Sequence, residues 1–97
     1  MAEAYVYILH SESLDKFYIG ATRFPVLTRI EQHNLNHYPD SFSRSGIPWT
    51  LFAAFHCDSF RQAQRIEKHI KRMKSKVYIK NLKIYPLIFE QLKLKYH

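Results

Sequence analysis

Cysteine is nearly absent from this chain, since Cys57 is the single one among 97 residues. An internal disulfide is therefore excluded, and so is a zinc site built from several cysteines of one chain. No apolar run approaches the roughly 18 residues that cross a bilayer. The first residues, MAEAYVY, also lack the basic and apolar segments of a secretory signal. We therefore expect a cytoplasmic protein that does not enter membranes.

Glycine and proline are also scarce, with two and four residues respectively. Neither a flexible linker nor a proline-rich spacer can be built from so few. A chain of 97 residues is too short for two separate cores, and 46% of its residues are apolar. The sequence therefore predicts a single domain over residues 1–97.

Acidic residues are outnumbered, with 8 Asp and Glu against 15 Lys and Arg, which gives a net charge of +7 and a pI near 9.7. This balance favours a polyanionic partner, nucleic acid before an acidic membrane surface. Composition alone is equally consistent with a basic protein kept soluble by its charge.

What the chain does contain begins with two short stretches, YVYIL from Tyr5 and KFYIG up to Gly20. Alternating and β-branched or aromatic residues of this kind predict two strands. The polar segment between them, His10 to Lys16, is short enough for a hairpin connection. Tyr7 and Tyr18 are then expected on neighbouring rungs of one sheet.

A helix is predicted after Gly20, because Pro25 suits a first turn and Val26, Leu27 and Ile30 follow at helical spacing. Arg29 and His33 are four residues apart and would lie together at one edge of its apolar arc. Two phenols, a guanidinium and an imidazole can therefore converge on one surface.

Leu35 to Gly46 is rich in Asn, Ser, Pro and Gly and is predicted to be a loop. WTLFAAFH, from Trp49 to His56, is the third predicted strand, and its apolar character on both faces suggests a central or covered position. A second helix is expected to start at Ser59, which is spaced with Gln62 for a capping box.

Glu67 is the only acid between Ser59 and Phe89, a stretch that holds nine of the fifteen basic residues. Helical spacing puts it inside the apolar arc with Ala63 and Ile70, where a carboxylate is costly unless something requires it. It could serve a functional site or form a partly buried pair with a core arginine such as Arg29.

The remainder, from Lys74, is less distinctive. Val77, Ile79 and Leu82 suggest a short helix or irregular packing segment, although YIKNLKIY could also be a strand. After Pro86 we expect a terminal helix that carries Leu87, Ile88, Leu92 and Leu94.

Taken in order, Val6-Tyr7-Ile8, Tyr18-Ile19-Gly20, Arg29 with His33, Pro48-Trp49-Thr50-Leu51 and Arg65-Ile66-Glu67-Lys68 resemble the GIY-YIG nucleases. The likeness is closest to small stand-alone bacterial proteins of that family, which are similar to the amino-terminal domain of UvrC. It covers roughly residues 5–80 and leaves a carboxy-terminal extension at about 81–97. It implies an α+β fold with a three-stranded antiparallel sheet flanked by helices.

The resemblance also implies the roles of individual residues. Tyr7 and Tyr18 would be site tyrosines, one of them assisting the attacking water, and Arg29 would stabilise the transition state. His33 would relay protons, and Glu67 would bind Mg²⁺ or Mn²⁺. Asn81 lies roughly where the family often places a site asparagine, although its surroundings match poorly.

Two residues depart from the family pattern. Tyr5 stands where the named motif has glycine, and Ala21 follows the second motif where UvrC-like members carry lysine. Arg23 is a candidate to replace that charge. Further candidates for contact with the DNA backbone are Arg44, Lys71 and Lys74.

These features predict a metal-dependent endonuclease that hydrolyses DNA phosphodiesters, with an implied role in DNA repair or recombination. Little in so small a chain could read base sequence, so DNA structure, a partner protein or a homodimer would supply specificity. A nucleic-acid-binding module with weak or no catalysis is the alternative. A helical interaction role for the leucine-rich carboxy-terminal segment is compatible with either.

Overall fold

The computed structural model describes residues 4–23, 25–34 and 48–97. The predicted loop from Leu35 to Gly46, with Arg44, lies outside this part of the chain. The described elements are strands β1 (Ala4–Ser11), β2 (Lys16–Thr22) and β3 (Trp49–Cys57), and helices α1 (Val26–Asn34), α2 (Phe60–Met73), α3 (Lys76–Ile84) and α4 (Leu87–Lys95).

The three strands form one antiparallel sheet in the order β2-β1-β3, which confirms the predicted α+β fold. β1 is the central strand, so the prediction of a central or covered β3 was wrong. β3 is an edge strand on which exposed and half-buried residues separate the buried ends Trp49 and Cys57. Its apolar composition reflects packing of individual residues, such as Phe52 and Phe55, against the core.

Each face of the sheet packs against different helices. On one face, Ala4, Val6 and Ile8 of β1 join a large core. The helical residues buried in that core are Ala63, Ile66 and Ile70 of α2, Ile79 and Leu82 of α3, and Phe89 and Leu92 of α4. On the other face, Tyr7, Leu9 and Trp49 form a smaller cluster against α1. The tyrosine pair is therefore separated from the main core by the sheet itself.

The hairpin between β1 and β2 turns through residues 12–15. Asp15 ends it in the left-handed region, with φ of 48°. Its carboxylate accepts hydrogen bonds from His10 Nε2 at 3.2 Å and Lys76 Nζ at 3.3 Å. These two partners, His10 first, hold the pKa of Asp15 below its usual value. The turn is thus tied to the start of α3.

α2 begins where the sequence predicts, with Ser59 as its N-cap. The Ser59 hydroxyl accepts from the backbone N–H of Gln62 at 3.0 Å. The return bond differs from a standard capping box, because Gln62 Oε1 accepts from the backbone N–H of Asp58 at 2.7 Å. At the other end, Lys74 adopts a left-handed conformation with φ of 48° and closes the helix.

The carboxy-terminal segment is helical, so the strand alternative for YIKNLKIY is excluded. α4 begins after Pro86 as expected, but only part of its predicted apolar face is covered: Leu92 is buried, whereas Leu87 and Leu94 are 75% and 77% exposed. Cys57 is fully buried, and burial raises the pKa of its thiol to about 11. No helix among the described residues has the length and apolar character to cross a membrane.

Candidate active site

Tyr7 and Tyr18 lie together on the α1 face of the sheet. Tyr7 is paired with Gly20 and Leu9 with Tyr18, so the two tyrosines are diagonal neighbours on adjacent strands. Their ring centroids are 6.4 Å apart, and the rings are within 25° of parallel. Tyr7 is only 4% exposed, whereas Tyr18 is half-buried. Tyr18 is thus the more accessible phenol of the pair.

Gly20 is the residue that makes room for the Tyr7 ring. A Cβ atom on Gly20 would come within 2.7 Å of Tyr7 Cε1 and closer still to Cζ and the hydroxyl oxygen. Gly20 does not adopt a positive φ, so its backbone conformation does not require glycine. Glycine is needed at this position because a side chain would overlap the Tyr7 ring. The ring of Tyr7 therefore crosses the backbone of β2 at this position.

Trp49 and Asn34 anchor the other side of the tyrosine pair. The rings of Tyr18 and Trp49 meet edge to face, with centroids 5.9 Å apart. The Asn34 side chain at the end of α1 bonds the Trp49 backbone twice, donating to its carbonyl at 3.0 Å and accepting from its N–H at 2.6 Å. α1 is therefore fastened to the start of β3.

This anchoring fixes the helix that carries Arg29 and His33. Val26 and Ile30 of α1 pack against the cluster that contains Tyr7 and Trp49. The backbone of Arg29 and His33 consequently runs along the tyrosine face, one helical turn apart. Their side chains lie outside the described part of the structure.

Glu67 lies in α2, with its side chain 19% exposed. Its Oε2 accepts from Lys71 Nζ at 3.3 Å, and the Lys71 side chain is 53% exposed. The carboxylate thus has a basic partner one turn along its own helix. The alternative pair with Arg29 depends on a side chain that is not described.

The flank of α2 that carries Glu67 borders the edge strand β2. At one end of this flank, Phe60 stacks under the Arg23 guanidinium, 4.7 Å from the ring centroid, just after β2. At the other end, Lys71 and Lys74 share a groove with the start of β2. Glu67 lies between these points, so Glu67 and Tyr18 flank one edge strand from opposite faces of the sheet.

The remaining predicted contacts are spread around this edge. Arg23 is exposed beyond the end of β2, and Lys71 and Lys74 line the groove at its start. Asn81 is half-buried in α3, where its backbone carbonyl accepts from the Tyr85 N–H at 2.7 Å.

The family model for the GIY-YIG catalytic domain matches residues 3–82 of this sequence. The chain belongs to the GIY-YIG family. It is a nuclease domain by that membership, and the matched range includes both tyrosines, α1 and Glu67. No curated protein and no solved structure matches the chain.

The GIY-YIG family implies a divalent metal ion, and Glu67 has the chemistry to hold one. Mg²⁺ prefers oxygen ligands and binds through one or two carboxylates, several waters and substrate phosphates. Among residues 4–23, 25–34 and 48–97, no group of three His, Cys, Asp or Glu side chains could hold a metal ion. A single, partly exposed carboxylate is compatible with the minimal kind of magnesium site.

Several residues that line clefts near the GIY-YIG motifs were not predicted as site residues from the sequence. Tyr5 and His56 line a cleft on the tyrosine face, and Lys16 and Lys76 line the groove with Lys71 and Lys74. A usable signal existed for Tyr5, which has the same strand parity as Tyr7. No local signal links Lys16 to Lys76, because their proximity depends on how α3 packs.

Proposed function

We propose that this GIY-YIG protein is a divalent-metal-dependent endonuclease that hydrolyses DNA phosphodiester bonds. The observation that carries the proposal is the stacked pair of Tyr7 and Tyr18, held beside α1 in a chain that the family's catalytic domain matches. A pair of strand tyrosines has a plain packing role in many sheets. Membership of a nuclease family favours a chemical role here.

Phosphodiester hydrolysis requires a group that deprotonates water. A tyrosine has an ordinary pKa near 10, so it is a weak base at neutral pH unless a cation assists it. Tyr18 is the more exposed phenol, and we assign it the contact with the attacking water. Tyr7, largely buried against Gly20, orients Tyr18 through the ring stack.

The α1 residues supply charge and a proton relay in this proposal. Arg29 would place a permanent, forked positive charge on the non-bridging phosphate oxygens. An unperturbed imidazole changes its charge near neutrality, which is why a histidine such as His33 would suit proton transfer between water and the leaving group. The Asn34 bonds to Trp49 support both roles by fixing the end of α1.

Glu67 would hold Mg²⁺ or Mn²⁺ at the β2 edge, with water and substrate phosphate as the other ligands. When bound, such an ion polarises the phosphate and stabilises the leaving oxygen. Lys71, which pairs with Glu67 at 3.3 Å, would turn to a phosphate when the carboxylate takes the ion. The proposed metal site therefore lies beside the proposed DNA contacts.

Arg23, Lys71 and Lys74 are the described candidates for binding the DNA backbone, and Arg44 and Asn81 remain predicted site residues. Phosphate contacts give affinity without sequence information. We therefore propose that DNA structure, a partner protein or a homodimer determines where the enzyme cuts. Such an activity would serve DNA repair or recombination.

We further propose that residues 1–97 act as one domain, with the carboxy-terminal extension completing its core. The family match ends at residue 82, before α4 begins. Phe89 of α4 stacks on Phe55 of β3, with ring centroids 4.3 Å apart. α4 thus covers the face of the sheet opposite the tyrosines.

A cleavage assay tests the proposed function. Supercoiled, linear, branched and single-stranded DNA would be incubated with the protein in Mg²⁺, in Mn²⁺ and in EDTA. We expect cleavage of at least one DNA in the presence of metal and none in EDTA. Tight binding without cleavage of any of them would instead favour a binding module.

A further inference from the structure

A cleft of about 510 Å³ opens on the tyrosine face, next to the start of α1. Tyr5, His56 and Arg23 contribute its aromatic and polar lining, and Val26 and Leu51 are among its apolar residues. Its size is within the roughly 300–1,000 Å³ typical of small-molecule sites. No role in the nuclease chemistry proposed above uses Tyr5, His56 or Leu51.

Tyr5 lies close to Tyr7, so the cleft borders the residues proposed to act in cleavage. It is two residues from Tyr7 on β1, so both side chains leave the same face about 7 Å apart. Tyr5 is paired with His56 on β3, and their rings meet edge to face with centroids 5.5 Å apart. The glycine that the family motif has at this position would provide no such aromatic wall.

The other lining residues combine apolar surface with one cation. Leu51 is 45% exposed and contributes apolar surface to the cleft. The Arg23 guanidinium is held 4.7 Å above the Phe60 ring, which limits the positions it can take. An aromatic face, apolar walls and an adjacent guanidinium together match a nucleobase with its phosphate.

We propose that this cleft binds an unstacked nucleobase of the DNA substrate, with Tyr5 as the stacking surface and Arg23 on the neighbouring phosphate. A base inside a duplex has both faces covered and must first be unstacked and unpaired to enter such a cleft, whereas an unpaired base avoids most of that cost. The preferred substrate is therefore DNA with an unpaired nucleotide beside the cleavage point, such as a flap or a branch. This rests on the proposed function only in taking DNA as the ligand.

Binding measurements in EDTA test the inference without cleavage. The probe is a fluorescent flap DNA in which each unpaired nucleotide in turn is replaced by an abasic one. At one position, wild type should lose about tenfold in affinity when the base is removed. Tyr5→Leu should bind the intact flap about tenfold more weakly and be indifferent to the missing base.

Two further variants separate stacking from general damage. Tyr5→Phe keeps the ring and should behave as wild type. Tyr85→Leu removes a 60% exposed tyrosine at the end of α3 and should also retain the full dependence on the base. Melting temperatures establish that each variant is folded.

Equal wild-type affinity for intact and abasic flaps at every position would overturn the inference, whatever happens to Tyr5→Leu. It would also be overturned if Tyr5→Leu weakened intact and abasic DNA equally. Should Tyr5→Leu fail to fold, wild type and Tyr5→Phe on the abasic series still decide. Base-dependent binding without any cleavage would refute the nuclease proposal alone, and cleavage without base dependence would refute this inference alone.

Discussion

Tyr7 lies across Gly20, its partner on the adjacent strand, so closely that even a methyl group at residue 20 would overlap the phenol ring. The same Tyr7 ring stacks on the ring of Tyr18. Gly20 therefore determines the position of the phenol pair without contributing a side chain of its own.

Gly20→Ala tests this relationship. The added methyl must displace the Tyr7 ring, because the clashing atoms belong to a largely buried side chain. We expect a loss of about 1–3 kcal/mol in the free energy of unfolding, as for overpacked cores. Cleavage should fall at least tenfold, because the tyrosine pair loses its alignment. Denaturant unfolding and DNA cleavage are the two measurements.

A second background tests whether the Tyr7 ring causes the loss of stability in Gly20→Ala. In a Tyr7→Leu background the added methyl meets a smaller side chain, so Gly20→Ala should destabilise far less there. An equal loss of stability in both backgrounds would mean that the ring of Tyr7 does not set the requirement for glycine.

Lys71 and Lys74, which line the groove at the start of β2, should make the affinity for DNA depend on salt concentration. We expect a linear fall of log affinity with log salt concentration, because the +7 charge acts through phosphates. Lys71→Ala and Lys74→Ala should each lower the slope by about one. Arg61 is exposed on α2 but does not line the groove that contains Lys71 and Lys74. Arg61→Ala is therefore the matched control and should leave the slope unchanged. A flat plot for wild type would contradict an electrostatic DNA interface.

Glu67→Gln separates a metal ligand from a structural ion pair. The observed partner, Lys71, is half-exposed, so removing the charge should change the free energy of unfolding by less than about 1 kcal/mol. Metal-dependent cleavage should nevertheless collapse, because glutamine is a poor ligand for Mg²⁺. Lys71→Ala breaks the same pair and gives the stability reference. A loss of 3–5 kcal/mol with cleavage intact would identify a buried structural pair instead.

The sequence predicted those elements whose signals are local. Alternation in YVYIL gave β1, and the capping pair Ser59 and Gln62 gave the start of α2. Even the diagonal contact of Tyr7 and Tyr18 followed from two strands joined by a short hairpin. Each of these depends on residues fewer than about twenty positions apart.

What the sequence missed depends on long-range packing. WTLFAAFH and YVYIL are both mostly apolar, so an apolar composition did not decide which strand is central. The antiparallel pairing of β1 with both neighbours decides it. The meeting of Lys76 with Asp15, and of Tyr5 with His56, likewise requires the complete sheet and α3. Helical spacing alone did not show which leucines of α4 are buried. In the structure Phe89 and Leu92 complete the core, and Leu87 and Leu94 are exposed.

The most direct test of the proposed chemistry is the rate of metal-dependent cleavage by Tyr7→Phe and Tyr18→Phe at saturating DNA. Both variants keep the stacked rings and remove only a hydroxyl, so DNA affinity and melting temperature should stay close to wild type. We predict that at least one variant, Tyr18→Phe first, loses about a hundredfold or more of the cleavage rate. Two fully active variants would contradict the proposal and return both tyrosines to a packing role in the sheet.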